Sequence, residues 1–84
     1  MEELIAKIIA KLRAIYRFTP YAEIIKQNPT IELFEIQGEI RLTSIRFSLY
    51  DTIIFYPTCI TIEPEHGNRK VLAEFESIDE FLNS

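Results

Sequence analysis

The spacing of the apolar residues changes once along this chain of 84 residues, close to Thr30. Before that point they recur every three or four residues, which is the period of a helix that buries one side. After it they alternate with polar residues, which is the period of a strand with one buried face. The two periods occupy separate parts of the chain, and this arrangement predicts an α+β fold. The length allows one such domain, over residues 1–84.

The part of the chain before Thr30 is predicted to be helical. An amphipathic helix over residues 3–18 buries one arc of side chains and leaves the charged residues outside it. Pro20 has no backbone N–H, so it ends this helix or opens a second one with Thr19 as its cap. The second helix is predicted to be short, over residues 20–26, because an Asn-Pro dipeptide follows it. The apolar arc of the first helix consists of Leu4, Ile5, Ile8, Ile9, Leu12, Ile15 and Tyr16.

Four strands are predicted after the helices. In the second, the apolar phase flips at Thr43-Ser44, which predicts either a β-bulge or a turn that divides the strand. In the third, Pro57 cannot donate a ladder hydrogen bond, which indicates an edge position or another bulge. The predicted strands cover residues 30–37, 40–49, 52–63 and 69–75.

The end of the chain contains a capping box, because Ser77 is followed three residues later by Glu80. This pattern predicts a short C-terminal helix. The connections between the strands are short, so consecutive strands are expected to pair antiparallel. The predicted fold is therefore a four-stranded, mostly antiparallel sheet (a meander) packed on the N-terminal amphipathic helix, with a short second helix and a short C-terminal helix.

Cysteine usage and the N-terminal residues indicate the compartment. The chain has one cysteine, Cys59, so it has no internal disulfide, whereas small secreted domains tend to be rich in disulfides. Met1 is followed by two acidic residues, Glu2 and Glu3, whereas a secretory signal needs positive charge at its start. No apolar run approaches the roughly 18 residues of a membrane span. These features predict a cytoplasmic protein.

The sequence contains no motif of a known catalytic or metal site. Cys59 and the one histidine, His66, are seven residues apart, and a strand followed by a loop is predicted to separate them. Glu63, Glu65 and His66 lie near one predicted loop with Asn68, but no second pair of ligands follows. We therefore expect no catalytic residues, no metal and no cofactor. If the protein is an enzyme, the first residues to test are His66, Glu63, Glu65 and Tyr56.

The charge is unevenly distributed, and this suggests a function. The chain has a net charge of −4, and residues 63–84 alone carry two bases and six acids. An acidic surface attracts a basic partner through electrostatic steering. The preferred hypothesis is a non-catalytic protein-interaction module, a small regulator, inhibitor or subunit, whose partner is a protein with a basic or nucleic-acid-binding surface. The predicted partner-binding residues are Glu63, Glu65, Glu74, Glu76, Asp79 and Glu80.

Besides a small enzyme, two alternatives remain open: a homo-oligomeric structural or accessory protein, and direct nucleic-acid binding. The predicted third strand is apolar on both faces, so one face would be buried against the short helices or against another copy in a homo-oligomer. Direct nucleic-acid binding would use the bases of the first helix, but they flank its apolar arc and the acidic balance of the chain opposes it. No membrane partner is expected, because membrane-surface binding needs the same apolar arc that the sheet needs for its core. The bases of the first helix that nucleic-acid binding would use are Lys7, Lys11, Arg13 and Arg17.

Overall fold

A computed structural model describes residues 1–84. Five strands form one antiparallel sheet in the order β1-β2-β3-β4-β5, and three helices accompany it. The α+β class, the antiparallel meander and the N-terminal helix packed on it are confirmed. None of the helices is long and apolar enough to cross a membrane. The elements are α1 (Glu2–Ile15), α2 (Ala22–Ile25), β1 (Thr30–Ile36), β2 (Glu39–Ser48), β3 (Thr52–Tyr56), β4 (Cys59–Glu63), β5 (Lys70–Glu74) and α3 (Ile78–Asn83).

The predicted count of four strands is wrong, because the predicted third strand is two strands. The chain reverses at Pro57-Thr58, so that Tyr56 at the end of β3 pairs with Cys59 at the start of β4. Pro57 has no N–H to donate to a ladder, and a tight turn needs none at that point. The sequence shows no break here because β3 and β4 lie inside the sheet and both are apolar.

The phase shift in the second predicted strand is a β-bulge, as one of the two predicted alternatives stated. Glu32 pairs with Ser44 and Leu33 pairs with Leu42, which leaves Thr43 as the extra residue of β2. The Thr43 hydroxyl donates to the Glu32 carbonyl at 2.9 Å. The extra residue of a bulge shifts the alternation of side chains between the two faces of the sheet by one position. Leu42 and Ile45, three positions apart, therefore both reach the core.

The core lies between the sheet and the apolar arc of α1. Phe47 and Phe55 are its largest wholly buried side chains. Phe55 also packs against Phe75 and Phe81, with ring centroids 5.6 and 5.1 Å away. Phe81 is on α3, so this aromatic contact attaches the C-terminal helix to the sheet. The other buried apolar residues are Ile5, Ile8, Leu12, Ile24, Ile25, Leu42, Ile45, Ile53, Ile60 and Ile62.

The predicted capping box forms at the start of α3. The Ser77 hydroxyl accepts from the Glu80 amide at 3.1 Å. The Glu80 carboxylate accepts from the Glu76 amide, also at 3.1 Å. The first hydrogen bond satisfies an amide that the first turn of a helix leaves without a partner, and such a cap contributes about 1 kcal/mol. The second is made by the amide of Glu76, the residue before the cap, and it ties the incoming chain to the helix.

The face of the sheet away from α1, which we call the outer face, has no helix over it. Register places Ile54 and Thr61 side by side on this face, and both are wholly buried. Arg69 and Tyr56 approach each other across it, with the guanidinium 5.7 Å from the ring centroid. The apolar centre of the outer face is therefore covered by side chains of the same chain, without a second copy.

Replacement of Thr61 by valine is expected to raise the free energy of unfolding by about 1 kcal/mol. The Thr61 hydroxyl oxygen is buried and has no hydrogen-bond partner, and a buried hydroxyl without a partner costs about 1–3 kcal/mol. Denaturant unfolding measures the change. Thr52→Val is the control, since that hydroxyl is hydrogen-bonded to Ser48 at 3.1 Å and its removal brings no gain. A loss of stability in Thr61→Val would contradict this reading of the outer face.

Candidate partner-binding site

The first hairpin exposes apolar side chains that nothing in the chain covers. We call residues 30–42 the arm: it consists of β1 and the part of β2 that pairs with β1 beyond the bulge. All seven residues of β1 are exposed. No element other than β2 approaches β1. The arm contributes five of the chain's exposed large apolar residues: Ile31 (38% exposed), Leu33 (49%), Phe34 (54%), Ile36 (51%) and Ile40 (50%).

The tight turn of the arm follows from two residues. Ile36 pairs with Glu39, so the loop consists of Gln37 and Gly38. Both have positive φ, at 52° and 80°, which is the backbone of a type I′ turn. Such turns match the twist of the two strands they join. The arm is thus an ordered hairpin rather than an irregular loop.

The exposed apolar residues lie on both faces of the arm. Pairing of Leu33 with Leu42 places Leu33 on the side of the sheet that faces α1. Phe34 pairs with Arg41 and therefore lies on the outer face. A strand of a sheet normally has one buried and one solvated face. A strand that is apolar on both faces and buried on neither is typical of a surface that another molecule covers.

β1 is also an open edge of the sheet. It pairs with β2 on one side and has no strand on the other. Natural proteins protect such edges with lysine, proline, bulges or short strands, because free backbone groups recruit further strands. β1 has seven residues and neither lysine nor proline, and its bulge lies on the partner strand. Its two charges are Glu32, which is 3.9 Å from Arg46, and Glu35.

The structure divides the predicted acidic residues between two ends of the β4–β5 hairpin. Glu63 is the last residue of β4 and Glu65 follows it in the loop. Glu74 pairs with Cys59, at the opposite end of that strand. The remaining three, Glu76, Asp79 and Glu80, follow Glu74 in sequence, at and just before the start of α3. Their role in binding a partner stays a prediction.

The acids near α3 differ in what they do in the fold. Glu80 completes the capping box described above. None of Glu74, Glu76 and Asp79 takes part in an ion pair. Asp79 lines a shallow groove between α1 and α3 with Lys7 and Lys11. Unpaired carboxylates close together favour binding of a cationic surface, although a solvated helix end has the same composition.

The residues considered for catalysis do not converge. Cys59 begins β4 and is half-buried beside the turn at Pro57. His66 lies three residues beyond the other end of β4, so the length of that strand separates the two. The Glu65 amide donates to the Asp51 carboxylate at 2.9 Å, which joins the loop to the β2–β3 turn. No group of three or more His, Cys, Asp or Glu side chains is arranged to hold a metal ion.

Comparison with protein families, with curated proteins and with solved structures finds no match for this chain.

The arm was not predicted as a binding surface, although the sequence contains a signal for it. Ile31 and Leu33 are odd-numbered and Phe34 and Ile36 are even-numbered, so the predicted first strand is apolar on both faces. The same pattern in residues 52–63 predicted a face buried either against the short helices or against another copy. There the two faces are covered within the chain, whereas in β1 neither face is.

Proposed function

We propose that the protein is a non-catalytic protein-interaction module of the cytoplasm, and that it binds its partner protein through the arm. The observation that carries this proposal is an ordered edge strand with exposed apolar side chains on both faces. A partner can add a strand to the free edge of β1 through main-chain hydrogen bonds. Its side chains then cover Leu33 on one face and Phe34 on the other.

The proposed mode of binding differs from one based on charge. The arm exposes five large apolar side chains, and burial of apolar area is not weakened by salt. Binding through exposed carboxylates is screened, with a Debye length of about 8 Å at physiological ionic strength. The effect of salt on partner binding therefore shows whether the arm or the acidic residues form the binding surface.

A pull-down from native lysate with a double arm variant tests the proposal. Leu33→Lys/Phe34→Lys places two charges where the partner is expected to bury apolar groups, and we expect at least about tenfold weaker capture. Leu49→Lys/Tyr50→Lys is the matched control, because these residues are 48% and 76% exposed and lie in the β2–β3 turn outside the arm. The partner should stay bound to the native chain at high salt and to the control. Equal capture by both variants would refute the arm as the binding surface.

A second candidate keeps the module but places its binding surface at the acids near α3. The supporting observation is that Glu74, Glu76 and Asp79 form no ion pairs, in a chain with a net charge of −4. In this case a basic partner is captured at low salt and released at high salt. Charge reversal at Glu74, Glu76 and Asp79 would abolish capture, whereas the arm variant would not. Glu80 is left unchanged in that variant because it caps α3.

A third candidate is that the partner is a second copy of this chain. The observation that favours it is the order of residues in β1. A two-fold axis perpendicular to the sheet keeps each residue on its own face, so antiparallel β1 strands pair odd-numbered residues with odd and even with even. Glu32 and Glu35 then never oppose each other. Like charges directly opposite would destabilise the pair, and symmetric pairing avoids them in every register that does not place Glu32 or Glu35 on the axis.

A further inference from the structure

The C-terminal end of α1 and the short helix α2 enclose a cavity of about 230 Å³. It lies outside the arm and away from the acids near α3. Three of its six lining residues are cationic and none is acidic, in a chain whose net charge is −4. The lining residues are Arg13, Arg17 and Lys26, which are basic, and Tyr16, Ala22 and Ile25, which form an apolar floor.

The two arginines of this cavity have no acidic partner. The three ion pairs of the chain are Lys26–Glu23, Arg41–Glu39 and Arg46–Glu32. Thirteen acids are present in the chain, yet none is within ion-pair distance of Arg13 or Arg17. Cations held close together without a counter-charge repel each other, and a bound anion removes that cost.

Arg13 is held in place by the fold. Its Nε donates to the Ile25 carbonyl at 3.1 Å and its Nη2 to the Gln27 carbonyl at 3.5 Å. Five N–H groups are available in a guanidinium, so three remain for a ligand. A guanidinium whose orientation is already fixed loses little entropy when it binds anionic oxygens.

Arg17 and Lys26 are free to turn towards a ligand. The Arg17 guanidinium lies 4.7 Å from the ring centroid of Phe18, which is itself 89% exposed. Lys26 pairs with Glu23 at 2.9 Å, but both side chains are about two-thirds exposed or more, at 67% and 71%. Such a pair contributes little. Exchange of Glu23 for a phosphate or carboxylate therefore costs little as well.

The floor of the cavity is suited to an apolar group. Ile25 is 1% exposed and is continuous with the core. The Tyr16 ring is fixed edge-on to Tyr21, with centroids 5.8 Å apart. A phenol is protonated and able to donate at neutral pH. Burial, and then the neighbouring Tyr21 phenol, raise the pKa of Tyr16 further. The volume is below the roughly 300–1,000 Å³ of drug-sized pockets, which limits the ligand to a small one.

We propose that this cavity binds a small organic phosphate, with the phosphate oxygens bonded to Arg13, Arg17 and Lys26 and an aromatic or aliphatic group on Tyr16, Ala22 and Ile25. Charge-assisted hydrogen bonds from two guanidinium groups supply the affinity for the anion. The apolar floor supplies a preference for an organic phosphate over the inorganic ion. This proposal does not depend on the function of the arm.

Titration of the ¹⁵N-labelled protein with phenyl phosphate, followed by NMR, tests the proposal. We expect saturable shifts of the amides of residues 13–17 and 22–26, with a dissociation constant of about 1 mM or below. Inorganic phosphate and phenol are titrated in parallel, and each is expected to bind at least about tenfold more weakly. Equal binding of inorganic phosphate would overturn the organic part of the proposal. Shifts that do not saturate would overturn the site.

Substitutions of residues that line the cavity, compared with a charge-matched control, test whether phenyl phosphate binds there. Arg17→Gln/Lys26→Gln is expected to weaken phenyl phosphate binding at least about tenfold, while Lys7→Gln/Lys70→Gln removes the same two charges elsewhere and is expected to leave it unchanged. Arg13 is kept because it bonds to backbone carbonyls. Ala22→Phe keeps every charge and fills the cavity, so it too is expected to prevent binding. Equal weakening by the two charge variants, or undiminished binding by Ala22→Phe, would show that the net charge rather than the cavity attracts the anion.

Discussion

Phe55→Ala is expected to lower the free energy of unfolding by about 3–5 kcal/mol. Phe55 is wholly buried in β3, pairs with Ile45 and Ile60, and packs its ring on Phe75 and Phe81. Its truncation leaves a cavity at the point where the sheet and α3 meet. A domain of this length has a total stability of roughly 4–13 kcal/mol. The substitution therefore removes a large fraction of that stability, and urea denaturation followed by circular dichroism measures it.

Phe34→Ala is the matched comparison, because it deletes the same atoms from the arm. Phe34 is 54% exposed and its ring has no aromatic neighbour. We expect a loss below about 1 kcal/mol, which is typical of surface substitutions away from packed contacts. A similar loss in both variants would mean that the arm belongs to the core, and the proposal that it is a free binding surface would then fail.

The sequence was sufficient for the elements whose periodicity is undisturbed. The apolar arc of α1 has a clear helical period, and Leu12, Ile8 and Ile5 on it are buried as that period predicts. Its other members are partly buried, except Ile15 in the last turn, which is 46% exposed, contrary to the prediction. The capping box at Ser77 and the phase flip at Thr43 are local signals with a direct physical cause. The first predicted the start of α3, and a bulge was one of the two alternatives that the second predicted. Local rules succeed at these positions because the residues that determine the structure lie within a few positions of each other.

The turn at Pro57 could not be predicted in the same way. Residues 53–62 are apolar on both sides of it, because β3 and β4 occupy the middle of the sheet and contribute to both faces. Alternation is then lost, and a proline inside an apolar run is compatible with an edge, a bulge or a turn. The choice among them depends on pairing of Tyr56 with Cys59 and of Phe55 with Ile60. These contacts exist only once the sheet has formed.

The candidate site was the least predictable feature, since exposure is a property of the whole fold. Leu33 and Phe34 are residue types that are common in protein cores. A sequence pattern therefore cannot distinguish a buried strand from an uncovered edge strand. The distinction arises because the core that the helices form with the sheet includes residues of β2, β3 and β4 but none of β1, whose only neighbouring element is β2. The cavity beside α2 is similar: Arg13 and Arg17 lie thirteen and nine residues before Lys26, and the turn at Thr19 brings them together.

If β1 pairs with β1 of a second copy, one cysteine variant of the arm is expected to form a disulfide-linked dimer and its neighbours are not. The symmetric register with Leu33 on the two-fold axis has the greatest overlap, and those with Glu32 or Phe34 on the axis overlap equally. Glu32 on the axis would face its own copy, which like charge disfavours, so the axis is expected at Leu33 or at Phe34. In the first, Glu32 faces Phe34 and Glu35 faces Ile31. In the second, Glu32 faces Ile36 and Glu35 faces Leu33. Every glutamate thus faces an apolar side chain in both registers, and only the residue on the axis faces itself.

The experiment uses a Cys59→Ser background, in which Leu33→Cys, Phe34→Cys and Glu32→Cys are each oxidised and analysed on non-reducing gels. Cα atoms of directly opposed residues are about 4.5–5.5 Å apart, which a disulfide spans. A residue next to the one on the axis does not face the same residue of the other copy. The two are displaced by two positions along the strands, and their Cα atoms are about 8 Å apart, beyond the reach of a disulfide. Cross-linking of Leu33→Cys alone, or of Phe34→Cys alone, therefore identifies the register. Equal cross-linking of all three would indicate random collision, and its absence from all three would leave the free edge of β1 to a strand from a different protein.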